Sequence, residues 1–378
     1  MKILDLSRFL AFSAFFALVG CGDSSGPPKP TVDQNAEAEE ESLVPETRKA
    51  GPVENIEADE RMAAARLIEA HDLVAHEIKI FDAEIRGAFD ERKFDLLEKT
   101  SQSLRESGEL FPDGSWMLFR FYEAVDHRFH SGDDGYLTDL EIHREWEKAY
   151  PDSLTRRIAL AEMLVSYAWH ARGSGYANTV TEEGWKYMRE RLDQAARALG
   201  DAQKLPGKDA YWFSAAMTVG TGQSWAKEAF DNLMEEARGE FPTYWHLETQ
   251  RAYTLLPRWF GEEGDWEKFA IEASEVPGGL GDETYARILI RLSGYHADVF
   301  RDADAKWSMA KPGFVTLLEK YPESVTLRNE AAYHATLGRD REMAAEIFAS
   351  LGDEYIKDVW KKPERFVHFR TWAETGKW

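Results

Sequence analysis

The sequence predicts an all-α fold made of repeated helix–turn–helix units over residues 56–378. Apolar residues recur there at helical spacing, and the alternating β-branched runs that would predict strands are missing. An apolar residue followed by proline recurs every 35 to 55 residues. Proline suits the turn before a helix, because its fixed φ matches helix entry. Its missing N–H costs nothing there, since the first N–H groups of a helix have no intrahelical acceptor. Such punctuation is typical of helical repeats that stack into an α-solenoid. The six pairs are Phe111-Pro112, Tyr150-Pro151, Leu205-Pro206, Phe241-Pro242, Val276-Pro277 and Tyr321-Pro322.

The first residues predict export and a lipid anchor. Lys2 and Arg8 flank the start of an apolar stretch that ends at Val19 and is too short to span a bilayer. The order Leu-Val-Gly before Cys21 resembles the lipobox of bacterial lipoproteins. The resemblance implies that residues 1–20 are a signal peptide, that cleavage precedes Cys21 and that its sulfur is acylated. The alternative is an ordinary secretory signal with an incidental cysteine. Cys21 is the only cysteine, so an acylated mature chain could form no disulfide.

Residues 21–55 predict a disordered acidic tether between the lipid and the helices. Prolines and the run Glu39-Glu40-Glu41 leave few aliphatic side chains to bury. A flexible chain of this length holds a domain roughly 30 Å from a bilayer. We therefore expect a lipid-anchored protein of the cell envelope. Gly22 does not resemble an inner-membrane retention signal, so in a bacterium with two membranes we expect the outer membrane, facing the periplasm.

Composition restricts the function further. The chain has 378 residues, of which 43% are hydrophobic, so it can bury a large core. Its net charge of −22 repels phosphate backbones, and the absence of a basic run argues against nucleic-acid binding.

The stretch from Tyr150 to Trp185 is the clearest structural unit. Asp152 or Ser153 can cap a helix whose apolar residues lie on two sides, which predicts a helix buried between neighbours. A glycine-hinged loop follows, and either Thr179 or Thr181 can cap the next helix. Upstream, the periodicity predicts one helix over 57–86 and another over about 90–106.

The last unit resembles a tetratricopeptide repeat. Ala344 and Phe348 match the Ala-x-x-x-Phe of its second helix, and Leu337-Gly338 lies at the preceding turn. The other units depart from that pattern, so the array is irregular. The alternative is an irregular helical domain in which prolines recur by chance.

Residues 57–378 are also similar to a bacterial family known only as a domain of unknown function. Three strings carry that similarity, namely residues 111–114, 150–185 and 255–266. The similarity implies a tetratricopeptide-like fold and no assigned activity.

Catalytic motifs are missing from the sequence: it contains no phosphate-binding P-loop, nucleophile elbow or His-Glu-x-x-His. Glu123, His127 and His130 lie on one face of a predicted helix, but their spacing alone is weak support for a metal site. We predict neither a metal nor a cofactor. Glu262 and Glu263 are interpreted as solvated loop acids.

Aromatic and polar loop residues are the better candidates for binding. Two hypotheses follow from them. The first is a scaffold whose helical surface binds a protein or peptide partner, because Trp, Tyr and Arg dominate such interfaces. The second is an envelope hydrolase that acts on cell-wall glycan or peptide, which for a glycan would need two carboxyls about 5–10 Å apart. The candidate binding residues are Trp169, His170, Arg172, Tyr176, Asn178, Trp185, Trp245, His246, Arg258 and Trp259.

Overall fold

The computed structural model describes residues 58–126, 130, 132–173, 175 and 177–378. The predicted signal peptide (1–20), the tether (21–55) and Cys21 lie outside the described residues. Helices dominate the described part, which confirms the predicted all-α class. They are α1 Ala58–Ala64, α2 Leu73–Asp90, α3 Phe94–Ser107, α4 Met117–Val125, α5 Asp133–Ala149, α6 Leu154–Arg172, α7 Glu182–Ala202, α8 Ala210–Gly222, α9 Lys227–Glu240, α10 Trp245–Thr254, α11 Asp265–Ser274, α12 Asp282–Ser293, α13 Val299–Asp302, α14 Trp307–Lys320, α15 Val325–Leu337, α16 Arg341–Leu351, α17 Lys357–Trp360 and α18 Pro363–Thr375.

The prediction of one helix over 57–86 is wrong. The chain leaves the helix after Ala64, and β1 (Ile68–Glu69) pairs in parallel with β2 (Glu354–Tyr355) before α2 begins. Asp72 caps α2 and also accepts the Thr326 backbone N–H at 3.1 Å. Because α1 packs on α18 as well, this interruption joins the first described helices to the last ones. The next helix also begins later than expected, at Phe94.

A turn of one design recurs between the helices. Tyr150, Phe241 and Tyr321 each end a helix, and each donates its backbone N–H to the carbonyl four residues earlier. The backbone N–H three residues further on donates to the carbonyl of the same aromatic residue. Ser153 and Ser324 then cap the following helices through their hydroxyl groups. Three of the six apolar–proline pairs therefore form one repeated turn, and the other three lie in longer connections.

Every second helix through the middle of the chain packs on the next such helix, in the order α6, α8, α10 and α12. Between them, α7 packs on α6 and α8, α9 packs on α8, and α11 packs on α10 and α12. The inner helix α6 is buried nearly all round, as its two apolar stripes predict. Its cap is Ser153, and Thr181 rather than Thr179 caps α7. At the last unit, Ala344 and Phe348 of α16 are both buried.

Candidate functional site

Several predicted binding residues meet where α6 and α10 end. The Trp169 ring lies edge-on to the Trp259 ring, with 6.0 Å between their centroids. Both rings are half-buried, so part of each remains open to solvent. We call the whole group, defined by ring and guanidinium contacts of about 6 Å or less, the edge cluster. Its members are Trp169, Arg172, Trp185, Tyr253, Arg258, Trp259, Arg291 and Tyr295.

Arg172 holds one half of the edge cluster together. Its guanidinium carbon lies 5.7 Å from the Trp169 ring and 5.6 Å from the Trp185 ring. The same group donates hydrogen bonds to the carbonyls of Gly173 at 3.0 Å and Gly175 at 2.8 Å. Burial lowers the pKa of Arg172, but a guanidinium remains charged at neutral pH. One side chain thus connects the end of α6, the loop and the start of α7.

The 255–264 loop, with the ends of α10 and α12, supplies the other half. Tyr253 lies 5.7 Å from the Trp259 ring and 5.4 Å from the Tyr295 ring. Arg258 lies over Tyr295 at 5.8 Å and is exposed. The turn itself requires glycine, because a Cβ on Gly261 would lie 1.8 Å from the Leu255 carbonyl oxygen. The loop therefore presents aromatic rings and a cation side by side on an accessible edge.

The remaining residues of the 170–178 loop lie elsewhere. His170 is directed toward α5, where its ring is 5.2 Å from that of Tyr136 and its Nε2 is 3.4 Å from the Asp133 carboxylate. Asn178 is exposed on a short 3-10 helix, Ala177–Thr179. Tyr176 lies outside the described residues. Of the predicted binding residues in and beside this loop, Trp169, Arg172 and Trp185 come together, and His170 does not join them.

Trp245 and His246 lie at the opposite end of α10, under the loop of residues 109–117. The Trp245 indole N–H donates to the Gly114 carbonyl at 2.8 Å. The backbone N–H of Trp116 donates to Nε2 of His246 at 3.1 Å. A second part of this chain already occupies these two side chains, so they belong to an internal contact and not to the edge cluster.

His246 is held neutral in that contact. It is stacked between Phe119, at 3.9 Å, and Trp245, at 3.8 Å. Burial, and then the nearby charges of Arg287 and Arg120, lower the pKa of His246 well below its ordinary value. Since Nε2 accepts the Trp116 N–H, the imidazole must keep a lone pair there.

Sequence reasoning missed the ionic network that holds the 109–117 loop. Glu283 is fully buried and accepts from Arg287 at 2.8 Å, Lys320 at 2.9 Å and Tyr321 at 3.2 Å. Arg287 also donates to the Asp113 carbonyl at 2.9 Å and lies over the Trp245 ring at 4.2 Å. Only the spacing of Glu283 and Arg287, four apart on one helix, could have indicated the pair.

Two described carboxyls have a pKa raised by burial, and neither belongs to the edge cluster. Asp209 accepts from Tyr122 at 2.6 Å and from Arg105 at 3.2 Å. Glu267 accepts the Asp304 backbone N–H at 3.0 Å. These two acids serve internal contacts.

The structure also bears on metal and membrane sites. His127 lies outside the described residues, and His130 lies 2.9 Å from the carboxylate of Asp139. Across the described part of the chain, no group of three or more His, Cys, Asp and Glu residues is arranged to hold a metal ion. No helix in the same residues is both long and apolar enough to cross a bilayer.

Comparisons with protein-family models, with curated proteins and with solved structures find no match for this chain. The similarity to the uncharacterised family and the lipobox assignment therefore stay predictions.

Proposed function

We propose that this chain is a helical-repeat scaffold, held at the bacterial cell envelope by acylated Cys21, that binds a protein or peptide partner at the edge cluster. One observation carries the proposal: half-buried Trp and Tyr rings lie with guanidinium groups between them on an accessible edge. Trp, Tyr and Arg are the residues that dominate binding hot spots. Binding of this kind needs no catalytic group.

The tetratricopeptide-like arrangement is part of the same proposal. It is supported by the repeated turn at Tyr150, Phe241 and Tyr321 and by the alternation of inner and outer helices. In such arrays neighbouring units stack, and the loops at one end form a continuous edge; in this chain the first and last described elements also meet, through the β1–β2 pair. The edge cluster combines residues at the C-terminal ends of α6, α10 and α12, at the start of α7 and in the loops after α10 and α12.

Charge indicates the chemistry of the partner. The chain carries a net charge of −22, so acidic segments are repelled by most of its surface. Arg172, Arg258 and Arg291 lie among the rings of the edge cluster. We therefore infer a segment with apolar or aromatic anchors next to acidic side chains, because charge complementarity then fixes its position.

The membrane assignment completes the proposal. Acylation of Cys21 and a tether of residues 21–55 would hold the helices roughly 30 Å from the bilayer, at the outer membrane facing the periplasm in a Gram-negative organism. A partner of the envelope is then within reach without a spanning helix.

The test begins with a partner captured from a cross-linked envelope extract by the full chain. Its contact segment is then made as a peptide and titrated against Trp169→Ala, Trp259→Ala and the control Leu96→Ala. Leu96 is 49% exposed on α3, outside the edge cluster. We expect each tryptophan variant to bind the peptide roughly 10-fold more weakly or worse, and the control to bind normally. Equal affinity in all three variants would refute the proposal.

A further inference from the structure

A partly open pocket of about 250 Å³ lies between α13, α15 and α18, apart from the edge cluster. Its walls are mainly apolar and include the rings of Tyr333, Phe369 and Trp378. Tyr333 and Phe369 stack at 5.6 Å, and Trp378 stands perpendicular to Phe369 at 5.7 Å. A concave, ring-lined space with a few polar groups is the usual form of a small-molecule site.

Three arginines from three separate segments converge on this pocket. They are Arg301 of α13, Arg339 after α15 and Arg365 of α18. Asp298 is the single carboxylate in the lining, and it is engaged in capping α13. The lining therefore carries three guanidinium groups against one carboxylate, in a chain with a net charge of −22.

Arg339 is the most available of these cations. Arg301 already pairs with Asp302 at 2.7 Å, and Arg365 is buried. Among the described residues Arg339 makes no ion pair; its guanidinium lies 4.3 Å from the Trp378 ring centre. Its backbone has φ 59, in the left-handed region that residues other than glycine rarely adopt.

We propose that this pocket binds a small planar aromatic carboxylate. The ring of such a ligand would lie against Tyr333, Phe369 and Trp378, and its carboxylate would accept hydrogen bonds from Arg339. A guanidinium fork matches a carboxylate in plane, and Arg365 adds a second positive charge. Asp298 disfavours a dianion, and a pocket of this volume excludes a folded protein segment. The inference is independent of the proposed function, because the two sites share no residue.

The test uses 2-naphthoate and its neutral amide, 2-naphthamide, titrated into the full chain by calorimetry and followed by tryptophan fluorescence. We expect naphthoate to bind one site and to bind at least 10-fold more tightly than the amide. Arg339→Gln should weaken naphthoate binding roughly 10-fold or more, and Arg339→Lys should weaken it less, because it keeps the charge. Arg144→Gln, an exposed arginine of α5, is the matched control.

Three results would overturn this proposal. They are equal binding of acid and amide, an unchanged affinity in Arg339→Gln, and an equal loss in Arg144→Gln. If Arg339→Gln does not fold, Trp378→Ala replaces it, since the Trp378 side chain is 54% exposed and its removal leaves the core intact. If Trp378→Ala binds naphthoate with the native affinity and gives the native fluorescence response, the assignment is contradicted equally.

Discussion

Gly114 and Arg287 are in such close contact that no side chain fits between them. A Cβ added to Gly114 would lie 2.3 Å from Nη2 of Arg287, and Gly114 has a positive φ of 77. We expect Gly114→Ala to lower the free energy of unfolding by roughly 2–4 kcal/mol, because strain and overpacking add. Gly108→Ala is the control, with φ 63 and no contact below 3.8 Å; it should cost only about 1–2 kcal/mol. Urea denaturation measures both, and equal losses would show that the 109–117 loop is not tightly docked.

The buried carboxylate of Glu283 should be essential for stability. Its removal leaves Arg287, whose side chain is 5% exposed, without its ionic partner. We expect Glu283→Ala to cost roughly 3–5 kcal/mol. Lys320 contacts the same carboxylate, but its side chain is 48% exposed, so Lys320→Ala should cost less than about 1 kcal/mol. A mild effect of Glu283→Ala in thermal unfolding would argue against this network.

Acid should destabilise the fold through its buried histidines. Burial lowers the pKa of His143 to about 3, and the pKa of His246 also lies well below its ordinary value. In the unfolded chain both titrate near about 6.5, so below that pH the unfolded state binds more protons. The free energy of unfolding is therefore retained above about pH 6.5. Below that pH it falls by about 1.4 kcal/mol per pH unit for each histidine.

The matched comparison for this effect is His143→Gln. Between pH 6 and pH 4 its slope of unfolding free energy against pH should be smaller than that of the native chain by about 1.4 kcal/mol per unit. Denaturation curves at a series of pH values measure both slopes. Parallel slopes would mean that His143 is charged inside the fold.

Arg172 should order the loop between α6 and α7 in a way that lysine cannot reproduce. It contacts two indole rings and donates to two carbonyls, which needs a planar group with several donors. We expect Arg172→Lys to speed amide hydrogen exchange in residues 177–181 at least several-fold and to change global stability by about 1 kcal/mol or less. If residues 177–181 of Arg172→Lys exchange at the native rate, the Arg172 side chain does not order this loop.

Local sequence patterns predicted the helices whose ends carry their own signals. Ser153 caps α6 where the pattern places it, and the aromatic–proline turns at Phe241 and Tyr321 separate helices as expected. These features could be predicted from the sequence because capping and proline geometry act within a few residues. The break at residues 65–72 could not be predicted from the sequence. Its cause is the pairing of Ile68 and Glu69 with Glu354 and Tyr355, which lie far along the chain.

The candidate sites show the same division. Sequence placed Trp169, Arg172 and Trp185 together because they border one loop. It could not show that Trp259 reaches Trp169 or that the 109–117 loop covers His246, since both depend on the stacking of distant helices. The pocket beside Arg339 joins four separate segments, so no local pattern indicated it.

The most direct test of the edge cluster is photo-cross-linking in intact cells. A benzophenone amino acid replaces Phe260, which is 43% exposed and lies 6.4 Å from the Trp259 ring, or Leu96 as the control position. We expect a discrete adduct from position 260, absent from position 96, whose cross-linked peptide contains apolar and acidic residues. The same adducts from both positions, or none from position 260, would contradict it.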